Sequence, residues 1–294
     1  MRAIWSFWSK PYGSHYSANW LTEKHHWLSW VLSVETARRH YPDTALITDD
    51  EGADILVDRL GIQFSEVSLD LEALSDEDPC WWALGKLYAY RAQQKPFVHI
   101  DADVFLWKRL PLFVEQAPVF AQSPESADSS FYQKKSVIDA LHNFGGWIPE
   151  PWQWYATSGV SQLAANCGIV GGTNTQMINE YAKLSFRTIT DHANRAIWKH
   201  LNEGSDIMVI IEQYLLNACV EYSRRNGDAS VYLQYLFGSI DGPYQAGNAA
   251  ALGYSHLISG AKKNRNTMER IERVVRRDYP ALYRRCMAYT EEAR

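Results

Sequence analysis

Strand-like and helix-like segments alternate through the first half of the chain, and this alternation limits the fold more than any other feature of the sequence. Apolar runs at 2–8, 44–48, 64–69 and 97–100 have the length of buried strands, and a segment with helical spacing of apolar residues lies between each run and the next. Strands and helices that alternate in this way are typical of a largely parallel sheet covered on both faces. We therefore predict an α/β fold with a mixed, mostly parallel, Rossmann-like sheet flanked by helices in a single domain.

The length of 294 residues suits one large domain with an appendage better than two domains. We expect a catalytic or binding domain over residues 1–265. A charged helical extension over residues 266–294 would pack on this domain. The net charge of −5 favours neither nucleic acid nor an anionic membrane as the main partner.

Cysteine usage and hydropathy indicate the expected compartment. The four cysteines are widely separated and show no C-x-x-C spacing, which argues against a zinc site and against a disulfide scaffold. No apolar run has the length of an integral membrane segment, and residues 1–13 lack the apolar stretch of a signal peptide. These features predict a cytoplasmic protein.

The middle of the chain, residues 122–165, carries clusters of Ser, Pro, Gly and Trp that are typical of long loops. Its GGWIPEPWQW segment contains Trp147, Trp152 and Trp154. These rings are candidates for sugar-stacking surfaces at an acceptor pocket, and they are equally candidates for packing on the core.

The segment FVHIDADVFLW, residues 97–107, places Asp101 and Asp103 at the end of a buried apolar run. Two carboxylates one residue apart on a strand share one face. Such hard oxygen ligands suit Mn²⁺ or Mg²⁺, which can bridge to a diphosphate, and ligands bind beyond the carboxyl ends of strands in open α/β sheets. The alternative is an acidic turn without a metal.

Two segments resemble retaining glycosyltransferases of family 8, which have the GT-A fold. In WWALGKLYAYRAQQKPFVHIDADVFLWKRL, residues 81–110, a helix with the basic residue Lys86 leads into a strand that ends in Asp-x-Asp. Asn166, followed by Cys167 and Gly168, matches a short strand with Asn-x-Gly. The resemblance implies that Lys86 contacts the donor diphosphate and that Asn166 belongs to the donor site.

Two later segments extend this resemblance, which covers about residues 44–265. Glu212 and Gln213 match an acidic residue–Gln pair that opens a helix ending in Leu-Asn. YSHLISGAKK matches a His-x-x-Gly-x-x-Lys-Pro segment, with one additional residue after His256 and no Pro after Lys262 and Lys263. The resemblance implies that His256 is the third metal ligand and that the lysines meet the diphosphate.

Each of these residues also has a structural interpretation. His256 is compatible with an ordinary histidine, and Lys262 and Lys263 are compatible with a solvated basic pair. Glu212 and Gln213 interrupt an apolar helical face, where a carboxylate is costly unless it is paired or functional. One of them is a candidate catalytic group at the anomeric carbon, and a capping or ion-pairing glutamate is the alternative.

Three residues near the first two strands are candidates for the donor-binding site. Asp49 follows the second strand and is a candidate for contact with the base or ribose, or for a helix N-cap. The resemblance places Trp8 and Tyr12 at the nucleotide base, whereas core packing is an equally good interpretation of Trp8.

The resemblance as a whole implies a metal-dependent glycosyltransferase that uses Mn²⁺ or Mg²⁺. It would transfer a sugar, with retention, from a nucleoside diphosphate donor to a saccharide, a small molecule or a peptide, and the donor would be UDP-linked rather than GDP-linked. Two alternatives stay open: a non-catalytic nucleotide- or carbohydrate-binding protein of the same fold, and a metal-dependent nucleotidyltransferase. The sequence has no G-x-x-x-x-G-K-[ST] phosphate-binding loop.

Overall fold

The computed structural model describes residues 1–13, 19–127, 132, 134–201 and 205–292. The chain folds into two compact units. The first comprises Met1–Pro79, His99–Leu110 and Ala246–Arg294, and the second comprises Cys80–Val98 and Pro111–Gln245.

The strands of the described residues are short, apart from two in the second unit. In chain order they are β1 (Arg2–Phe7), β2 (Thr44–Thr48), β3 (Glu66–Ser68), β4 (Phe97–Ile100), β5 (Val104–Leu106), β6 (Val119–Ser126), β7 (Leu163–Gly172), β8 (Leu233–Tyr235) and β9 (Tyr254–His256).

The α-helices range from a single turn to 16 residues. In chain order they are α1 (Ser9–Pro11), α2 (Glu23–Arg38), α3 (Asp50–Ala53), α4 (Leu84–Ala92), α5 (Leu112–Glu115), α6 (Lys134–Asn143), α7 (Glu150–Thr157), α8 (Thr175–Thr190), α9 (His192–Leu201), α10 (Ser205–Val209), α11 (Leu215–Arg225), α12 (Ala246–Leu252), α13 (Arg265–Asp278) and α14 (Pro280–Glu292). Short π-helical segments occur at Asp54–Arg59 and Ile210–Tyr214, and 3₁₀ turns at Asp70–Leu74, Pro79–Trp81, Gly242–Tyr244 and Ser259–Lys263.

The first unit has a parallel arrangement of β3, β2 and β1, in which Ala3 lies opposite Thr44 and Ala45 lies opposite Glu66. Every residue of β2 is buried, as expected for a strand covered on both faces. His99 of β4 lies beside β1, with its Nε2 atom 2.9 Å from the Ser6 hydroxyl. Helices α13 and α14 pack on α2, and β5 pairs with β9 as an antiparallel ribbon.

The second unit has a mixed arrangement, because β6 pairs antiparallel with β7 and parallel with β8. Helix α4 packs on α8, and α7 packs on α11. Gly171 allows a close approach of backbones in this unit, because a Cβ atom there would lie 2.0 Å from the carbonyl oxygen of Phe97. This contact accounts for a glycine at the end of β7.

The predicted α/β class, with a mixed, mostly parallel sheet flanked by helices, is confirmed. The helix predicted near residues 22–40 forms over Glu23–Arg38. The division of the chain at residue 265 stays a prediction. None of the helices in the described part of the chain is long and apolar enough to cross a membrane.

The prediction of long loops over residues 122–165 is wrong for the described part of that region, which excludes 128–131 and 133. Strand β6 runs through Pro124, and its register with β7 shifts between Ala121 and Ser123. Proline is tolerated in a strand at such an irregularity. Pro151, the second proline of the GGWIPEPWQW segment, lies in the first turn of α7. Proline is tolerated there because the backbone N–H groups of the first turn have no acceptor within the helix.

The three tryptophans of that segment differ in their surroundings. Trp152 lies in α7 and is fully buried, so it packs in the core and is not a stacking surface. Trp147 and Trp154 are half-buried, and the guanidinium groups of Arg187 and Arg225 lie 3.9 and 5.2 Å from their respective ring centroids.

Candidate metal centre

Asp101 and Asp103 lie in the connection between β4 and β5, and both carboxylates belong to the first unit. Strand β4 ends at Ile100, so the two aspartates do not share a face of a strand, in contrast to the prediction from the sequence. They lie instead in a turn, in which the Val104 N–H donates to the Asp101 carbonyl oxygen over 2.9 Å.

His256 reaches the same place through the β5–β9 ribbon. Val104 lies directly opposite His256 in this ribbon, and the Leu257 N–H donates to the Asp103 carbonyl oxygen over 3.0 Å. The His256 Nε2 atom lies 3.4 Å from Oδ1 of Asp103. Ligand atoms of Asp101, Asp103 and His256 all lie within 4.8 Å of one another.

Lys262 places an ammonium at this cluster. Its Nζ lies 2.6 Å from Oδ2 of Asp103 and 5.4 Å from the ring centroid of Trp20. Burial alone raises the pKa of Asp103, but the charges of Lys262 and His256 outweigh burial and hold that pKa well below its usual range. Asp103 is therefore ionised at neutral pH. Lys263, the next residue, is exposed.

A buried histidine supports Asp101 from the strand that precedes it. His99 Nδ1 lies 3.7 Å from Oδ1 of Asp101, and His99 Nε2 lies 2.9 Å from the Ser6 hydroxyl on β1. The His99 ring is almost fully buried, whereas the Asp101 side chain keeps 24% of its exposure. Asp101 is thus the carboxylate of the pair that is more accessible to a ligand.

The cluster fits a divalent cation on the chemistry of its donor atoms. Two carboxylates and one imidazole are ligands that Mn²⁺ accepts, and the carboxylates also suit Mg²⁺. The ammonium of Lys262 lies at Asp103 in the same cluster. Asp101, Asp103, His256 and Lys262, all predicted from the sequence, are therefore brought together in the first unit.

Asp49 is the N-cap of α3. Its Oδ1 accepts from the Gly52 N–H over 2.9 Å, and its Oδ2 accepts from the backbone N–H and the hydroxyl of Ser9 over 2.9 and 2.8 Å. The capping alternative therefore describes the contacts of this carboxylate. A contact between Asp49 and a donor nucleotide stays a prediction.

Trp8 and Tyr12, the residues predicted near the nucleotide base, are packed differently. Trp8 is 6% exposed and thus largely part of the core. Tyr12 stacks on His26 with ring centroids 4.6 Å apart, and its hydroxyl donates to Glu23 over 3.2 Å. A contact of Trp8 and Tyr12 with the nucleotide base stays a prediction.

A second polar cluster lies in the second unit, around Glu212 in the π-helical turn Ile210–Tyr214. Glu212 is fully buried, and its Oε1 lies 2.5 Å from the ammonium of Lys86. Lys86 also donates to the Cys167 carbonyl oxygen over 3.3 Å. The ion pair gives the buried Glu212 carboxylate the compensating charge that burial requires.

Gln213 and Asn166 are linked in the same unit by Tyr132 and Glu125. The Tyr132 hydroxyl lies 2.5 Å from Oε1 of Gln213 and 2.6 Å from Oε2 of Glu125. Asn166 Nδ2 donates to Oε1 of Glu125 over 2.6 Å. Burial, and then the charge of Glu125, raise the pKa of Tyr132, so its hydroxyl keeps its proton and donates to one of the two acceptors at a time.

Sequence reasoning did not identify Glu125, Tyr132 or His99 as parts of these clusters. A charged residue after the apolar start of β6 was the available signal for Glu125, but its Ser- and Pro-rich surroundings favoured a loop. His99 stands in the middle of an apolar strand, which is itself an indication of a buried polar role. Tyr132 has no distinguishing pattern in the sequence.

Fold and cluster together define an α/β protein with a candidate centre for a divalent cation. The chain belongs to DUF6734, a family of unknown function whose model matches residues 1–289. No curated protein matches its sequence.

Two solved structures illustrate what the chain is similar to. One is the galactosyltransferase LgtC in complex with donor and acceptor sugar analogs, with 9% identity, a TM-score of 0.38, and coverage of 72% of this chain and 71% of that chain. The other is an active-site mutant of LgtC, with 11% identity, a TM-score of 0.38, and coverage of 72% and 70%. These identities and TM-scores are too low to carry an argument about function.

Proposed function

We propose that this protein is a metal-dependent glycosyltransferase that takes a sugar from a nucleoside diphosphate donor, with a UDP-linked donor preferred over a GDP-linked one. The observation that supports this most is the convergence of Asp101, Asp103 and His256 within 4.8 Å. These are the residues for which the glycosyltransferase resemblance implies a metal. Their convergence depends on the pairing of β5 with β9, which the sequence motifs alone did not predict.

Asp101, Asp103 and His256 would hold Mn²⁺ or Mg²⁺, which supplies positive charge to a leaving diphosphate. The chain adds its own charge beside these ligands. Lys262 lies at Asp103, and Lys263 follows it in the exposed part of the turn. An ammonium is a strong point charge for a phosphate oxygen, so these lysines are suited to recruit and orient an anionic donor.

Gln213 stays a candidate catalytic group, the role that the glycosyltransferase resemblance implies for the Glu212–Gln213 pair. Its side chain is half-buried, and its amide oxygen is oriented by the Tyr132 hydroxyl. Glu212 is fully buried against Lys86, which is the ion-pairing arrangement expected of a structural glutamate. We therefore assign a positioning role to Glu212, which precedes Gln213, and to its partner Lys86. The proposal includes transfer with retention of the anomeric configuration.

The first experiment measures the melting temperature of the protein with UDP and with GDP, each with and without Mn²⁺. A ligand that binds only the folded state raises the melting temperature, by an amount equivalent to about 2.7 kcal/mol at a concentration 100 times its Kd. We expect a shift with UDP that requires Mn²⁺. Asp101→Asn and Asp103→Asn should abolish it, and Asp58→Asn, which changes an exposed carboxylate of the same unit, should not.

The second experiment measures release of free UDP from a panel of UDP-sugars in water, which requires no knowledge of the acceptor. Release that depends on Mn²⁺ and is lost in Gln213→Ala supports the transferase. Metal-dependent UDP binding without release from any sugar would indicate a nucleotide-binding protein instead. Release of pyrophosphate from a nucleoside triphosphate would indicate a nucleotidyltransferase, and either result would contradict the proposal.

A further inference from the structure

A cavity of about 850 Å³ lies within the first unit, enclosed by α2, the β5–β9 ribbon and α13. Its volume is in the range of pockets that bind small molecules. Its floor is apolar and consists of the side chains of Leu32, Phe105, Leu257 and Ile271, which are at most 6% exposed. The cavity therefore offers a ligand a buried apolar surface.

The cavity lies on the face of the β5–β9 ribbon opposite the candidate metal ligand. Val104 pairs with His256, and Phe105 pairs with Ser255. Paired residues of an antiparallel ribbon share a face, and successive residues alternate. Phe105 and Ser255 line the cavity, so the side chain of His256 points away from it. An occupant of the cavity is therefore distinct from a ligand of the metal.

The rim of the cavity is basic. Arg270, Arg273 and Arg277 lie on α13 at helical spacings of three and four, so they share the face that also carries Ile271 and Val274. Arg277 pairs with Asp278 through contacts of 2.6 and 2.9 Å. Arg270 and Arg273 are exposed and make no hydrogen bond or ion pair with any residue that the structure describes.

An aromatic side chain completes the wall. Trp107 is 42% exposed, and its indole N–H donates to the Ser255 hydroxyl over 3.0 Å. This bond fixes the ring beside the apolar floor. A large half-exposed Trp and the guanidinium groups of Arg270 and Arg273 line the same cavity, which favours a ligand with an apolar body and an anionic end.

We propose that this cavity binds a small anionic amphiphile, with an apolar chain or ring on the floor formed by Phe105, Leu257 and Ile271 and a phosphate or carboxylate at Arg270 and Arg273. The charge of the rim excludes a cationic ligand. The buried floor favours a molecule that enters the cavity over a membrane surface, because insertion into a membrane requires apolar side chains that project outward.

The test uses octyl phosphate below its micellar concentration as the probe, with isothermal calorimetry in the absence of metal and nucleotide. We expect saturable binding of octyl phosphate and much weaker binding of octanol and of inorganic phosphate, since each of these supplies one half of the recognition. Because neither metal nor UDP is present, the outcome is independent of the glycosyltransferase proposal.

Variants separate the two halves of the site. Arg270→Gln combined with Arg273→Gln should weaken octyl phosphate binding by about tenfold or more, as expected for the loss of charge-assisted hydrogen bonds. The matched control, Arg265→Gln combined with Arg284→Gln, removes the same charge from exposed residues that do not line the cavity and should leave the Kd unchanged. Val274→Trp places an indole ring in the cavity from its half-buried wall, where it obstructs access to the apolar floor, and it should abolish binding.

Melting curves of each variant without ligand show whether it is folded, and only folded variants are compared. Absence of saturable binding to the unmodified protein would overturn the proposal, as would equal Kd values for the two double variants. A third experiment measures binding to phosphatidylcholine vesicles that contain phosphatidic acid. If both the unmodified protein and Val274→Trp bind these vesicles, the surface recognises a membrane without the cavity, and the proposal is overturned.

Discussion

The ammonium of Lys262 lies 2.6 Å from Oδ2 of Asp103, while the imidazole of His256 lies 3.4 Å from Oδ1 of the same carboxylate. One carboxylate of the candidate centre therefore already faces a cation that belongs to the chain. A divalent ion and this ammonium would both be attracted by Asp103, and repulsion between them opposes simultaneous close contact. Lys262 is consequently a competitor of the metal as well as a candidate contact for the diphosphate.

Removal of the Lys262 charge should therefore have opposite effects on two ligands. In Lys262→Met, we expect Mn²⁺ alone to bind roughly tenfold more tightly, because Asp103 loses its competing ammonium. UDP in the presence of saturating Mn²⁺ should bind more weakly, because a contact for phosphate is lost. Calorimetric titrations with Mn²⁺ and then with UDP measure both effects. Lys263→Met, a change at the exposed neighbour, is the control for charge in the Mn²⁺ titration alone, and an unchanged Mn²⁺ affinity in Lys262→Met would contradict the competition.

The N-cap role of Asp49 can be separated from a role in donor binding. Asp49→Ala leaves the N–H groups of Gly52 and Ser9 without their acceptor, and loss of an N-cap costs about 0.5–2 kcal/mol of the free energy of unfolding. Urea denaturation measures this cost. Asp50→Ala, at the exposed next position, should cost less. If Asp49→Ala unfolds at the same urea concentration as the unmodified protein but binds UDP more weakly, the carboxylate is a donor contact and not a cap.

The Lys86–Glu212 pair should behave as a buried ion pair whose partners depend on each other. The side chains are 11% and 1% exposed, so each charge is largely removed from water. Lys86→Met leaves a buried carboxylate uncompensated, and loss of one partner of such a pair costs about 3–5 kcal/mol. The double variant Lys86→Met with Glu212→Leu should be considerably more stable than the sum of the single effects predicts.

A double-mutant cycle in urea measures this coupling, with the exposed pair Lys183 and Glu180, 3.0 Å apart, as the reference for a surface contact. A surface pair of this kind contributes about 0.2–1 kcal/mol. Additive effects at Lys86 and Glu212 would show that the two charges act independently, which would contradict the positioning role assigned to them.

The sequence predicted those parts of the molecule that depend on local periodicity or on side-chain chemistry. The helix of Glu23–Arg38 and the buried strand of Thr44–Thr48 follow from apolar spacing, because burial on one or both faces selects those residues directly. Asp101, Asp103 and His256 were identified by type and order. Periodicity did not predict the ribbon of β5 and β9, because strands of three residues have no recognisable pattern and their partners are distant in the sequence.

The second cluster shows a different limit. Glu212 was recognisable because a charge in an apolar helix requires a partner, yet nothing in the sequence indicated that the partner is Lys86. Glu125 and Tyr132 join Asn166 and Gln213 through hydrogen bonds that depend on tertiary packing, and the surrounding Ser and Pro residues favoured a loop. Pro124 was misleading because the irregular register of β6 tolerates it.

His26 should make the stability of the protein depend on pH. Burial, and then the charge of Lys262, lower its pKa from 6.5 to about 3, so the folded protein holds His26 neutral where the unfolded chain protonates it. Between about pH 6.5 and pH 3 the unfolded state therefore binds more protons than the folded state. As the pH is lowered through this range, this group decreases the free energy of unfolding by about 1.4 kcal/mol per pH unit. His25, whose pKa burial also lowers, acts in the same direction.

Urea denaturation at pH 7 and pH 5 should show a smaller loss of stability in His26→Gln than in the unmodified protein or in His142→Gln, which changes an exposed histidine. Equal losses of stability in all three proteins would contradict this prediction, because they would mean that the pKa of His26 is the same in the folded and unfolded states.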